Sequence, residues 1–133
     1  MLVADACVIA SLYLQGEHEK AARAAYCRDP DWASVPLWRY EFLNVIWKKC
    51  RAGHLDAAAA ADHFERAVER IVPLEHVPDE EHVLALAMKH QITAYDACYV
   101  SLALQLRLPL LTEDRELLTK FPQLAVSLAD FGK

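Results

Sequence analysis

The sequence predicts an α/β fold built on a mainly parallel sheet. Short apolar runs of strand type alternate with amphipathic helical segments along the chain, and caps and breakers fall at the boundaries between them. Strands spaced this way pair in parallel through right-handed crossovers. A length of 133 residues suits one domain, 1–133, and a hydrophobic content of 55% lets it bury a real core. No linker or low-complexity segment interrupts it.

"LVAD" at the start reads as a buried strand running into a turn, and "ACVIASLYL" as a short helix after it. Residues 17–28 place Ala and Tyr on one face and charges on the other, an amphipathic helix that "DPDW" breaks at Pro30. "WASV" is the second strand. Pro36 suits the first turn of the next helix, in which Trp38, Phe42, Val45 and Ile46 share one face and which Gly53 stops. Asp56 caps an Ala-rich helix, and "IVPLEHV" is the third strand. Asp79 caps "EEHVLALAMKH". Thr93 opens a helix through "TAYD", a capping-box pattern. "LPLL" is the fourth strand, Thr112 caps the short helix "EDRELLTKF", and "LAVSLADF" is a fifth, weaker strand.

Composition excludes several classes. No apolar run approaches the roughly 18 residues of a membrane span. The apolar N-terminus has no basic leader and carries Asp5 within it, unlike an export signal, so the expected location is the cytoplasm. A net charge of -5 argues against nucleic-acid binding by general basicity. It allows an enzyme whose acidic site holds cations. Cys7, Cys27, Cys50 and Cys98 form no CxxC pair and have no His at zinc-finger spacing, so reduced, partly buried thiols are expected. The six His are scattered, read as surface residues, and none lies in an HExxH pattern. Tyr95 and Tyr99 read as core.

The acids carry the functional signal. Asp5 ends the first strand, and Asp114 lies just past "LPLL". Glu41 sits a turn into the helix after the second strand, and Asp96 lies in the first turn of the helix leading to the fourth. Helices of a parallel α/β layer run opposite to the strands, so all four acids map to the sheet's C-terminal edge, where such folds bind ligands. Each of Asp5, Asp96 and Asp114 taken alone reads as a helix cap. Glu41 is too deep in its helix to cap. Carboxylates about 4 Å apart repel by roughly 4 kcal/mol at an effective dielectric of about 20. A fold gathers several only where protons or cations offset that cost, and all-oxygen donors suit Mg²⁺ or Mn²⁺. Carboxylates holding such ions are apparatus for phosphodiester cleavage. Arg39, Arg115 and the basic stretch containing Lys48 and Lys49 are candidates for phosphate contacts.

Three stretches, "LVADACVIA", "VPLWRYEFLNVIWK" and "ITAYDACYVSLALQLRLPLLTEDREL", the last carrying "TED", resemble the PIN-domain family in order, spacing and total length, and within it the VapC-type toxin ribonucleases of toxin–antitoxin pairs. The resemblance implies a three-layer α/β/α sandwich and a Mg²⁺- or Mn²⁺-dependent endoribonuclease. It implies a site of Asp5, Glu41, Asp96 and Asp114, with Thr112 as the hydroxyl supporting the last acid. It also implies an RNA substrate, a cognate antitoxin that inserts a basic side chain into the site, and a homodimer. One departure stands out: the family has Ser or Thr two residues after the first Asp, and this chain has Cys7. A thiol is the weaker donor. Glu113 beside Asp114 leaves two acids able to reach a metal.

Two other classes are weighed. A haloacid-dehalogenase-like phosphoacceptor needs Asp-x-Asp after strand one, where this chain has Asp5-Ala6-Cys7. A receiver-like domain needs an Asp at the end of a middle strand, where "IVPLEHV" offers Glu75. The alternative kept is a catalytically weak or inactive PIN-like module for RNA or protein binding, for which Cys7 is the hint.

Overall fold

The computed structural model describes residues 1–133. Four strands form one parallel sheet: β1 (Leu2–Ala4), β2 (Trp32–Ala33), β3 (Leu110–Leu111) and β4 (Ala125–Val126), in the spatial order β2-β1-β3-β4. β1 pairs with β2 at Leu2↔Trp32 and with β3 at Val3↔Leu110, and β3 pairs with β4 at Leu110↔Ala125. Eight helices surround it: α1 (Ala6–Tyr13), α2 (Glu19–Arg28), α3 (Trp38–Arg51), α4 (Ala57–Ile71), α5 (Glu80–His90), α6 (Ala94–Leu106), α7 (Arg115–Lys120) and α8 (Leu128–Phe131). The architecture is the three-layer α/β/α sandwich.

Leu2, Val3, Ala4, Leu110 and Leu111 are wholly buried. A strand buried on both faces cannot alternate polar and apolar residues, which is why these strands read as continuous apolar runs. α1 to α4 pack on one another as one group, while α5 and α6 pair as another and α6 lies on β1 and β3. Ala22 and Ala25 on α2 are fully buried, so small side chains let that helix approach closely. Trp38 and Phe42 of α3 and Phe64 of α4 form an aromatic cluster with ring centroids 5.9 to 6.3 Å apart.

The order of the strands places the site. The chain passes from β1 to β2 on one side, then returns to β3 on the other. The topological switch therefore lies between β1 and β3, and a crevice opens there at the C-terminal edge of the sheet.

Three expectations about elements are corrected. "IVPLEHV" is not a strand: α4 runs through Ile71, Val72–Leu74 form a 3₁₀ turn, and Glu75 makes one isolated parallel bridge to Ser34. Pro73 has no amide to give a ladder, and its fixed φ suits the turn. "LAVSLADF" is strand only at Ala125–Val126, after which Ser127 caps α8 through the Asp130 amide. α7 is capped by Asp114, not Thr112. The other caps stand as read: Asp56 accepts from the Ala59 amide, Asp79 from Glu81, and Thr93 from Asp96. Gly53 ends α3 with φ +81°, where a side chain would be strained. No helix is long and apolar enough to cross a membrane.

Phe42 is wholly buried beside two aromatic rings. Phe42→Ala is expected to lower the unfolding free energy by about 3–5 kcal/mol, read from urea melts.

Candidate active site

Asp5, Glu41, Asp96 and Asp114 line one cleft of about 380 Å³, together with Cys7, Asn44, Val45, Lys48, Tyr99 and Glu113. Residues separated by as many as 109 positions are thus brought to one place. The local reasons differ. Asp5 follows β1 and is the N-cap of α1: its Oδ1 accepts from the Val8 amide at 2.9 Å. Asp114 follows β3 and caps α7, its Oδ1 accepting from the Leu117 amide at 3.0 Å. Asp96 is not itself a cap. Thr93 holds that role, which leaves the Asp96 carboxylate in the first turn of α6 and facing the cleft. Glu41 sits in the first turn of α3 and is partly buried, with its Oε1 accepting from the Tyr99 hydroxyl at 2.6 Å.

Thr112 joins two of the acids. Fully buried, it donates its hydroxyl to Asp5 Oδ2 and accepts the backbone N–H of Asp114 at 3.0 Å. The side chain thus supports both the first acid and the last. Its hydroxyl sits at the β1/β3 switch, where the last main-chain bonds run from the Asp5 N–H to the Leu111 carbonyl and from the Thr112 N–H to the Val126 carbonyl.

The electrostatics show an uncompensated negative field. Asp5 is pushed up to about 6, first by burial, against the hydrogen bonds from Thr112 and Val8, and further by the charges of Glu41 and Asp114. Asp96 is also raised, by desolvation and then by Asp114 and Glu41. The Tyr99 phenol is held far above its usual range by burial and by Glu41, so it remains a donor. Although Cys7 is exposed at the cleft, partial desolvation and the surrounding acids push its thiol up to about 11. It is therefore protonated at neutral pH and unsuited to nucleophilic work.

The donor set fits a hard cation. Every candidate ligand is a carboxylate oxygen, and the charges that raise Asp5 are of the kind an ion neutralises. No three side chains are already drawn together as a closed metal cage. Zinc has no convergent N/S set here.

Of the expected basic contacts, the structure brings Lys48 to the cleft and leaves the others elsewhere. Arg39 is turned to Glu75, donating from Nε at 2.8 Å and from Nη2 at 2.6 Å, while Trp38 Nε1 donates to the same carboxylate at 2.6 Å. A guanidinium held in that fork is not free for phosphate. Lys49 points away and donates to the Gln15 carbonyl at 3.3 Å. Arg115 is exposed on α7 and does not line the cleft. Glu113 lines it, but Oε1 is engaged by the Leu128 amide at 2.6 Å and so anchors α8. All four cysteines are free, with Cys7 and Cys27 exposed rather than partly buried. His63 and His82 are not plain surface residues: His63 Nδ1 is buried without a partner, and His82 Nδ1 meets Ser101 Oγ at 2.8 Å.

Sequence reading missed Tyr99 and Asn44. Both had a signal. Tyr99 is three residues after Asp96, and Asn44, Val45 and Lys48 follow Glu41 at i+3, i+4 and i+7, so each shares a helical face with an acid already identified.

The family model described as PIN domain matches residues 2–123. This chain belongs to the PIN-domain family. It is 39% identical over 126 residues to ribonuclease VapC3 of Pyrobaculum aerophilum, a match covering 92% of this chain and 96% of that protein. It is 42% identical over 88 residues to exonuclease VapC9 of the same organism, covering 66% of this chain and 65% of that one. Among solved structures, PAE2754 of P. aerophilum superposes with a TM-score of 0.80 at 27% identity, covering 98% of this chain and 91% of the other. These relatives put the chain with the VapC-type PIN proteins.

A carboxyl whose pKa is raised on folding stabilises the fold below its unfolded value, and that contribution is lost as pH rises through its folded value. For Asp5 the window runs from 3.8 to about 6. In chelator, stability is expected to fall by about 3 kcal/mol across it, from about 1.4 kcal/mol per pKa unit, with Asp96 adding in the same direction. Urea melts at a series of pH values check this, and Asp5→Asn should flatten the decline.

Proposed function

We propose that this protein is a divalent-metal-dependent endoribonuclease, the toxin of a type II toxin–antitoxin pair, acting as a single PIN domain over residues 1–133. The observation that carries the reading is the convergence of Asp5, Glu41, Asp96 and Asp114 on one cleft at the sheet's C-terminal edge. Its support is the family match over residues 2–123 and the similarity to a ribonuclease VapC3 across nearly the whole chain.

Asp5, Asp96, Asp114 and Glu41 are the residues that would hold Mg²⁺ or Mn²⁺. When bound, such an ion would make a water easier to deprotonate and would offset charge developing on phosphate. The protein's part is positioning. Thr112 fixes Asp5 and Asp114 relative to each other through one hydroxyl. Tyr99 orients Glu41 by donating to Oε1, leaving Oε2 without a protein hydrogen bond. Two of the acids also spend an oxygen on helix amides, which fixes their carboxylate planes. Lys48, at the rim of an acidic cleft and in no ion pair, is the cation placed to receive an RNA phosphate there. Cys7 stands where the family has a hydroxyl and keeps its proton, so it contributes at most a weak hydrogen bond. The acidic cleft also suits a basic side chain from an antitoxin, and a homodimer completes the assembly in the cytoplasm.

The test is cleavage of an end-labelled pool of structured RNAs by purified protein with Mn²⁺, with Mg²⁺ and with chelator. Metal-dependent internal cuts are expected, and loss of all cuts in Asp96→Asn. Thr112→Val should retain cutting but lower it by about 10–100-fold, the usual cost of removing a residue that orients a metal ligand. A saturating cation, at about 100 times its Kd, should add about 2.7 kcal/mol to stability. Cuts that persist in chelator, or the absence of both cutting and metal stabilisation, would sink the reading and leave a non-catalytic PIN module.

A further inference from the structure

An acidic cleft in a protein of net charge -5 repels the polyanion it is meant to cut, and Lys48 alone among its lining residues is cationic. The affinity must come from elsewhere on the chain. Away from the cleft, two adjoining cavities of about 530 and 330 Å³ lie between α1, α2 and α4 and share Leu12, Tyr13, Arg23 and Arg66. Lys49, His54 and His63 line the larger, and Arg70 and Tyr26 the smaller.

The cations there are largely uncompensated. Arg66 and Arg70 lie on one face of α4 at i,i+4 and form no ion pair, although Asp62 and Glu69 are within a helical turn of Arg66. Like charges at that spacing repel. Arg23 is bound to Glu19 at 2.8 Å, and Glu69 is the other acid whose field reaches Tyr13. The fold thus gathers cations facing the same space with one carboxylate, Glu19, lining it.

This basic space is continuous with the acidic cleft. A narrow groove of about 200 Å³ shares Cys7 and Val45 with the cleft, and Leu14, Gln15, Glu19 and Lys49 with the larger basic cavity. Glu17 is the remaining acid along it. α1 spans the distance: Asp5 caps one end and Tyr13 closes the other, eight residues or roughly 12 Å at about 1.5 Å per residue.

We propose that the groove and the two basic cavities it leads into form one track for the single-stranded RNA flanking the cut, with Lys49 along the groove and Arg66 and Arg70 in the cavities holding its phosphates, and with the Tyr13 and Tyr26 rings of the cavities offered to its bases. A cationic groove interleaved with aromatic rings is the general recipe for holding single strands without sequence readout. The proposal rests on the nuclease reading for its direction, since the track leads from the cut site. Cleft and track divide the work: the acids do chemistry on one phosphate, and the arginines supply the binding energy that the acids oppose.

The test uses full-length protein carrying Asp96→Asn, so that RNA survives, in Mg²⁺ with a fluorescein-labelled mixed-sequence single strand of about 20 nucleotides. Adding Arg66→Gln and Arg70→Gln is expected to raise Kd at least about ten-fold and to make the slope of log K against log salt shallower by about 1.4, from about 0.7 per phosphate contact. Lys89→Gln with Arg107→Gln, the same charge change elsewhere, should alter neither. In the otherwise native chain, the Arg66/Arg70 pair of changes should leave melting and turnover of bis-p-nitrophenyl phosphate unchanged, since that small diester needs only the cleft. An unchanged Kd and slope, or an equal loss from the Lys89/Arg107 control, overturns the track. So does polyglutamate binding at these arginines where RNA does not, which would assign the groove to an acidic protein partner. If RNA binding depends on the arginines while the native protein never cleaves the small diester, the track stands and the nuclease reading is the one that fails.

Discussion

The hydroxyl of Thr112 is the joint on which the site depends. It donates to Asp5 at the end of β1 and accepts from the Asp114 amide after β3, across the place where the sheet changes direction. The ladder ends there with the Asp5 amide on the Leu111 carbonyl, and backbone pairing does not fix how the carboxylates beyond it are held. One buried side chain does so instead. A buried hydroxyl that both donates and accepts is confined in geometry, and losing it leaves Asp5 Oδ2 desolvated without a donor while Oδ1 keeps the Val8 amide. The helix caps complete the frame. Asp5 and Asp114 each satisfy an orphan amide at the start of a helix, so the residues that shape the site also terminate the loops leading into it.

That frame holds charge the protein alone does not balance. Asp5 is raised by burial and by its acidic neighbours, and Asp96 likewise. The cost is spread over helix dipoles, the Thr112 and Tyr99 hydroxyls and partial protonation. Under the proposed function, a bound cation would relieve that cost. The same acidity makes the cleft a poor anchor for a polyanion, and it is on this mismatch that the proposed track along α1 rests.

α3 links core and chemistry. One face carries Trp38, Phe42 and Ile46 into the interior, while Glu41, Asn44, Val45 and Lys48 line the cleft. Packing of the aromatic cluster therefore sets where Glu41 stands. Behind it, Glu75 ties Arg39 and Trp38 to the turn after α4, and the Ser34–Glu75 bridge holds that turn to the sheet edge. The segment with the strongest strand-like composition outside the sheet thus serves as an anchor for α3.

The sequence by itself determined the alternation of elements, their caps, and the edge at which the acids meet. These follow from periodicities of 2.0 and 3.6 and from residues such as Asp56, Asp79 and Thr93 that satisfy amides within a turn of themselves. Family likeness singled out the same four acids as the candidate site. Tertiary structure alone decided what depends on distant partners. Whether "IVPLEHV" pairs as a strand depended on Pro73 and on which neighbour offered an edge. Whether Arg39 met phosphate or Glu75, and whether Tyr99 packed silently or held Glu41, depended on residues 36 and 58 positions away. Local chemistry states what a residue is able to do, and burial decides which partner it must then find.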